Sequence, residues 1–219
     1  MKTYKIVVLF LFLGLFSCAV KPIKNNNMKK IALTEGNIEI THEDLHLKLF
    51  FQKYDHTAKK HLIDDAYLRV NTFVKDETIA DFYVDYDKPK ANIFLTKIYK
   101  NYFLSLVLEN GNYFLSIEKA KINTVFAIQK EGVIDDLKIK ITNVWSEWGT
   151  ENPEPDANQF HYIHQTFKLS VGKEVKEINF CSCDASKEYF IEIANYKIFP
   201  GKANIQPYII ALKIEMQEQ

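Results

Sequence analysis

Residues 137–142 read LKIKIT, and residues 208–216 read YIIALKIEM. In the first stretch Leu137, Ile139 and Ile141 alternate with Lys138, Lys140 and Thr142. In the second, Tyr208, Ile210, Leu212, Ile214 and Met216 alternate with a face that carries Lys213 and Glu215. An apolar period of two marks a strand with one side on a core and the other in water. Antiparallel sheets have this habit. Ala80, Phe82, Val84 and Tyr86 repeat the pattern against Asp81 and Asp85. The same reading predicts strands over residues 45–51, 66–74, 91–97, 102–108, 113–118, 121–128, 159–169, 175–181 and 188–198.

Turn residues punctuate these runs. Asn110-Gly111 between two aromatic-rich segments predicts a tight hairpin. Asp87-Lys88-Pro89, Glu131-Gly132, Val171-Gly172-Lys173 and Pro200-Gly201 predict further reversals. Roughly twelve short strands at this spacing imply an all-β, mainly antiparallel fold, either one β-sandwich or two small packed β-sandwich-like modules. The boundary is placed near residues 129–133, dividing an N-terminal module (37–130) from a C-terminal one (131–219). No internal repeat is seen.

Composition agrees with a folded domain. Apolar residues make up 47% and charged residues 26%, ordinary globular values that argue against disorder. The formal net charge is zero, so no basic excess exists to hold a nucleic acid. Arg69 is the only arginine, which leaves almost no bidentate forks for phosphate.

The N-terminus carries an address. Lys2 and Lys5 precede an uninterrupted apolar stretch from Ile6 to Phe16. It is too short to span a bilayer core of roughly 30 Å as a helix, and it suits a signal peptide. It ends in Leu15-Phe16-Ser17-Cys18, which resembles the lipobox of bacterial lipoproteins. The resemblance implies cleavage after Ser17, removal of residues 1–17, and palmitate-type acyl chains on Cys18, which together anchor a protein stably. Ala19 to Lys30 (AVKPIKNNNMKK) is polar, and residues 18–36 are expected to form a flexible tether. Ala19 carries no acidic inner-membrane retention signal, so the expected address is the outer membrane, facing the periplasm.

Three constellations are candidate sites. His42-Glu43-Asp44-Leu45-His46 fits H-E-x-x-H, in which a helix brings two imidazoles onto one face to hold zinc beside a Glu base. Here the flanks alternate like strands. On a strand the two imidazoles would stand about 13 Å apart, too far for one metal. Cys181-Ser182-Cys183, with His161 and His164 nearby, offers either a short disulfide or a thiolate pair for zinc or copper. Trp145 and Trp148 are the only tryptophans and lead into an acidic loop with Glu147, Glu151, Glu154 and Asp156. Exposed indoles there would stack on a sugar or a partner side chain. If Trp145 ends the 137–145 strand, it instead shares the core face of Leu137, Ile139 and Ile141. The adjacent carboxylates Asp64-Asp65 and Asp135-Asp136 point opposite ways on a strand and do not make acid–base dyads. No phosphate loop or serine nucleophile elbow is present.

The expectation is thus a lipid-anchored cell-envelope protein, non-enzymatic, binding a protein or glycan partner through Trp145 and Trp148, with no cofactor and no nucleic acid. The alternative is an envelope metalloenzyme or metal-binding protein using His42 and His46, or Cys181 and Cys183.

Overall fold

A computed structural model describes residues 28–54, 67–74, 77–85, 95–150, 158–185, 189–204 and 208–217. Cys18, the signal segment and the reversal at residues 87–89 lie outside the described residues, as do Asp64 and Asp65. The fold is all-β and mostly antiparallel, with packed, sandwich-like sheets. Among the described residues there is no α-helix, and hence none long and apolar enough to cross a membrane.

Four strands, β2 (Gly36–His42), β3 (Leu45–Tyr54), β4 (Tyr67–Val74) and β5 (Glu77–Asp85), form an antiparallel meander. It faces one wing of a larger sheet: β1 (Lys29–Ala32), β8 (Asn112–Lys119), β7 (Tyr102–Glu109) and β6 (Thr96–Lys100), in that order. Alternate residues of the meander point inward: Ile40, Leu45, Leu47, Leu49, Phe51 and Phe82. They pack on Tyr102, Leu104, Leu106, Leu115 and Ile117. Asn110 (φ 49°) and Gly111 (φ 78°) make the expected tight turn between β7 and β8.

The larger sheet then forks at β9 (Val125–Ile134). Along one edge β9 runs parallel to β6, the one parallel pairing among the described strands. On its other edge the first residues, Val125 to Ala127, pair with β15 (Ile209–Met216). The last residues, Glu131 to Ile134, pair with β10 (Leu137–Thr150). One branch continues through β11 (Gln159–Val171) to β12 (Glu174–Cys181), and the other through β14 (Tyr196–Asn204) to β13 (Ile191–Ile193). Between the branches lies a second core that includes Phe126, Ile139, Ile163, Phe167, Tyr196 and Ile214. At the fork a Cβ on Gly132 would come within 2.6 Å of the buried Ile98 side chain, so only glycine fits there.

The two cores share a wall. Tyr99, Tyr102 and Leu104 face the first core, whereas Ile98 and Phe103 face the second. The β6–β7 pair is therefore dry on both sides. The boundary expected at 130/131 falls inside β9, a continuous strand that takes part in both branches. The tether expected over 18–36 must be shortened. Lys29–Ala32 is a strand in register with β8, and Ile31 packs on the first core, as does the buried Leu33. Isoleucine and leucine at alternate positions have apolar surface to bury even directly after two lysines.

Lys97 is the exception in this wall. Its side chain is 1% exposed. Its Nζ donates to the Asp81 carbonyl and, at 3.1 Å, to Gln129 Oε1, and it lies 5.2 Å from the Phe82 ring centroid. Gln129 Oε1 also accepts the Asp81 N–H at 2.5 Å, so one buried polar knot joins β5, β6 and β9. Burial pushes the Lys97 ammonium down to about 7, against the opposing pull of the Asp81 charge. Between about pH 7 and the ordinary lysine range, the unfolded chain then binds a proton that the folded chain does not. Stability must therefore rise with pH across that window. Urea titrations from pH 6 to 10 should show this rise, and Lys97→Met should flatten it, gaining more stability at pH 6 than at pH 10.

Candidate functional site

The H-E-x-x-H string folds as a hairpin, not a helix. His42 ends β2, Glu43 (φ 51°) and Asp44 turn, and Leu45 and His46 open β3. His42 is in register with Leu45, and Thr41 with His46. Paired residues share a face and neighbours alternate, so the two imidazoles point to opposite sides of the hairpin. His42 faces the core edge, its ring 5.8 Å from that of Tyr102, while His46 lies outside within 3.3 Å of Thr41 Oγ1. The alternative reading of His42 and His46 as a metal pair is thus corrected: one ion cannot reach both.

What the turn builds instead is a charged clasp on Tyr102. The Tyr102 hydroxyl donates toward Glu43 Oε2 (2.5 Å) and Asp44 Oδ1 (2.7 Å), and it accepts from Lys119 Nζ at 2.7 Å. Lys119 also pairs with Glu43 at 2.8 Å, and Lys100 lies 3.6 Å from Asp44. The Lys119 ammonium, then the Tyr102 hydroxyl, hold the Glu43 carboxyl below its ordinary range. Tyr102 does the same for Asp44. Burial, then Glu43, push Tyr102 up to about 12. The clasp ties the meander's first hairpin to β7 and β8.

The second candidate lies on β10 and β11. Through Ile141 the alternation matches expectation, with Leu137 and Ile139 buried. Between Ile141 and Asn143 the register against β11 then slips by one residue. Such a bulge shifts every later side chain to the other face. Trp145 therefore turns away from the core face that an unbroken alternation would give it and is 49% exposed, while Trp148 is 80% exposed. The strand also does not stop at Trp145. It runs to Thr150, paired with Gln159–Thr166, so Glu147 and Trp148 lie on strand rather than loop. Glu151, Glu154 and Asp156 lie outside the described residues.

The outward face of this ribbon is a set of cross-strand rows. Trp145 is in register with His164, and the two rings stack in parallel with centroids 3.7 Å apart. Glu147 is opposite Tyr162, and Gly149 is opposite Phe160. Phe160 and Tyr162 stack at 5.0 Å, and the Phe160 ring lies over Gly149, where a Cβ would meet it at 3.0 Å. On the reverse face Ile163 is buried, Gln165 Nε2 donates to the Tyr208 carbonyl at 3.3 Å, and the His161 ring lies 6.0 Å from that of Tyr208. His161 and His164, three apart, face opposite sides.

Cys181 and Cys183 are joined in a disulfide. Of the two readings of this pair the short disulfide is the one formed, and the alternative zinc or copper site on free thiolates is corrected, because neither sulfur carries a free charge. Among the described residues no three His, Cys, Asp or Glu side chains converge as metal ligands. Asp135 and Asp136 form the β9–β10 turn, where Asp136 Oδ1 accepts from the Tyr196 hydroxyl at 2.5 Å. No protein-family model matches this chain, and neither does any curated protein.

Removing the Tyr102 hydroxyl tests the clasp. Both carboxyls it binds have depressed pKa values, so their contribution is complete above about pH 5 and is lost as pH falls through the carboxylate range. Tyr102→Phe should lower the urea midpoint at pH 7 and lower it visibly less at pH 3.

Proposed function

We propose that the chain is an exported, lipid-anchored binding module of the cell envelope that takes an extended segment of a partner protein along the free edge of β10. The observation that carries this reading is the distal half of β10. Among the described residues, Asn143–Thr150 pairs with β11 on one edge and with no strand on the other. An unpaired strand edge is a template for another chain.

The charge pattern favours a polypeptide occupant. Edge strands are commonly blunted with lysine. The inner half of β10, which is paired on both edges, carries Lys138 and Lys140, whereas Asn143–Thr150 carries no lysine. Glu147 is its one charged residue, set between two exposed tryptophans. This edge lacks the usual guard and offers large apolar anchors of the kind that dominate protein interfaces. A glycan platform needs free ring faces. Trp145 already has one face on His164, and Phe160 is stacked on Tyr162. Trp148, in register with His161, lies on the opposite side of the ribbon, so the two indoles do not make one platform.

Two features support the envelope address. Leu15-Phe16-Ser17-Cys18 resembles a lipobox. The Cys181–Cys183 disulfide suits an oxidising compartment such as the periplasm. The anchor would be acylated Cys18, in the outer membrane with the β domain facing the periplasm. Palmitate labelling of the full chain in a bacterial host should be lost in Cys18→Ala.

Site-specific photo-crosslinking tests the edge. A photoreactive residue in place of Ser146 should yield one dominant adduct with a second envelope protein. That adduct should be lost when Val144→Lys restores a charged edge, and it should fall about tenfold in Trp148→Ala. Adducts only with another copy of the same chain, or binding to immobilised glycan that Val144→Lys leaves intact, would contradict the reading.

A further inference from the structure

The β11–β12 register places Cys181 directly opposite His164, which is itself opposite Trp145. Paired residues share a face, so indole, imidazole and disulfide form one row across three strands. Trp145 stacks on the imidazole from one side. Glu147 Oε2 lies 3.4 Å from His164 Nε2, within ion-pair reach though not aligned as a hydrogen bond. Cys183 is exposed at the end of the strand, in a single 3₁₀ turn over Ser182–Asp184, and Cys181 is half-buried. The Cys183 N–H points at Cys181 Sγ, 3.1 Å away.

A bridge between residues two apart closes a very small loop and removes little chain entropy, so it adds little as a staple. The turn is held without it, because Ser182 Oγ accepts the Ile163 N–H at 2.9 Å. The pair is instead well placed for chemistry. One sulfur is exposed, and the other has an N–H donor at 3.1 Å and an imidazole on the residue directly opposite across the strands.

We propose that Cys181–Cys183 is a thiol–disulfide exchange site that passes its disulfide to a dithiol in an exported polypeptide. The proposal stands apart from the edge-binding reading, since it uses the opposite end of the row and needs no strand pairing. A thiolate of the polypeptide attacks Cys183 Sγ. The Sγ–Sγ bond breaks, its electron pair goes to Cys181 Sγ, and a mixed disulfide forms on Cys183. The Cys181 thiolate is held by the Cys183 N–H and protonated through His164. The second thiolate of the polypeptide then attacks its own sulfur in the mixed disulfide and expels Cys183 as a thiolate, which takes up a proton. The polypeptide loses two electrons and two protons, and the Cys181–Cys183 pair gains both. Its disulfide is restored by a small-molecule disulfide such as oxidised glutathione.

The test uses the folded full chain in detergent, carrying Cys18→Ala so that no third thiol competes. Millimolar reduced glutathione, acid quenching, alkylation and peptide mass spectrometry then report the state of each cysteine. The disulfide should open without denaturant. In Cys181→Ser, treated instead with oxidised glutathione, Cys183 should attack it, release one reduced glutathione and keep the other as a stable mixed disulfide. His164→Phe and His164→Gln, with unchanged circular dichroism, should each slow opening about tenfold. With oxidised glutathione present, the chain should speed recovery of activity by a reduced, unfolded test protein. A disulfide that stays closed in the folded chain, or an opening rate indifferent to both His164 variants, would overturn the proposal.

Discussion

Everything in this fold hangs on one pair of strands that is dry on both faces. The Tyr102–Glu109 strand and its neighbour Thr96–Lys100 send Tyr99, Tyr102 and Leu104 one way and Ile98 and Phe103 the other. Burying both faces removes the side that water normally takes. It explains why residues 102–104 read YFL, with no polar alternation. It also explains the cost accepted at Lys97, whose ammonium sits where only an apolar side chain would be comfortable.

The fold class was legible because alternation is a local signal. Leu137 and Ile139 of LKIKIT, and Ile210, Leu212 and Ile214 of the final strand, enter the second core as the period of two requires, although Tyr208 and Met216 at the ends of the last run are exposed. The Asn110-Gly111 hairpin was legible for a similar reason, since few residues tolerate that turn. The end of the tether was not, because Lys29 and Lys30 mask the two apolar residues that follow them. The fork at the Val125–Ile134 strand was hidden because it depends on which strands meet, and only Gly132 marks the place.

The candidate sites were legible as residues but not as geometry. Both tryptophans, both cysteines and both histidines of H-E-x-x-H stand out in the sequence. A single bulge after Ile141 decides that Trp145 faces solvent rather than core, and no residue type announces it. Hairpin register decides that His42 and His46 oppose each other. The row of Trp145, His164 and Cys181 spans residues far apart in the chain and exists only through strand pairing. Tyr102 gave no hint at all. It looks like one more strand aromatic, and only the fold brings two carboxylates and a lysine to its hydroxyl.

Because the two cores share a wall, they must stand or fall together. Native-state hydrogen exchange on Phe103→Ala measures this most directly. Phe103 belongs to the second core, yet its strand also walls the first. The shared-wall account requires amides of Leu45–Phe51, across the first core, to lose as much protection as amides of Tyr196–Phe199, in the second. Loss confined to the second core, with the meander's protection unchanged, would show two independent units and contradict the account.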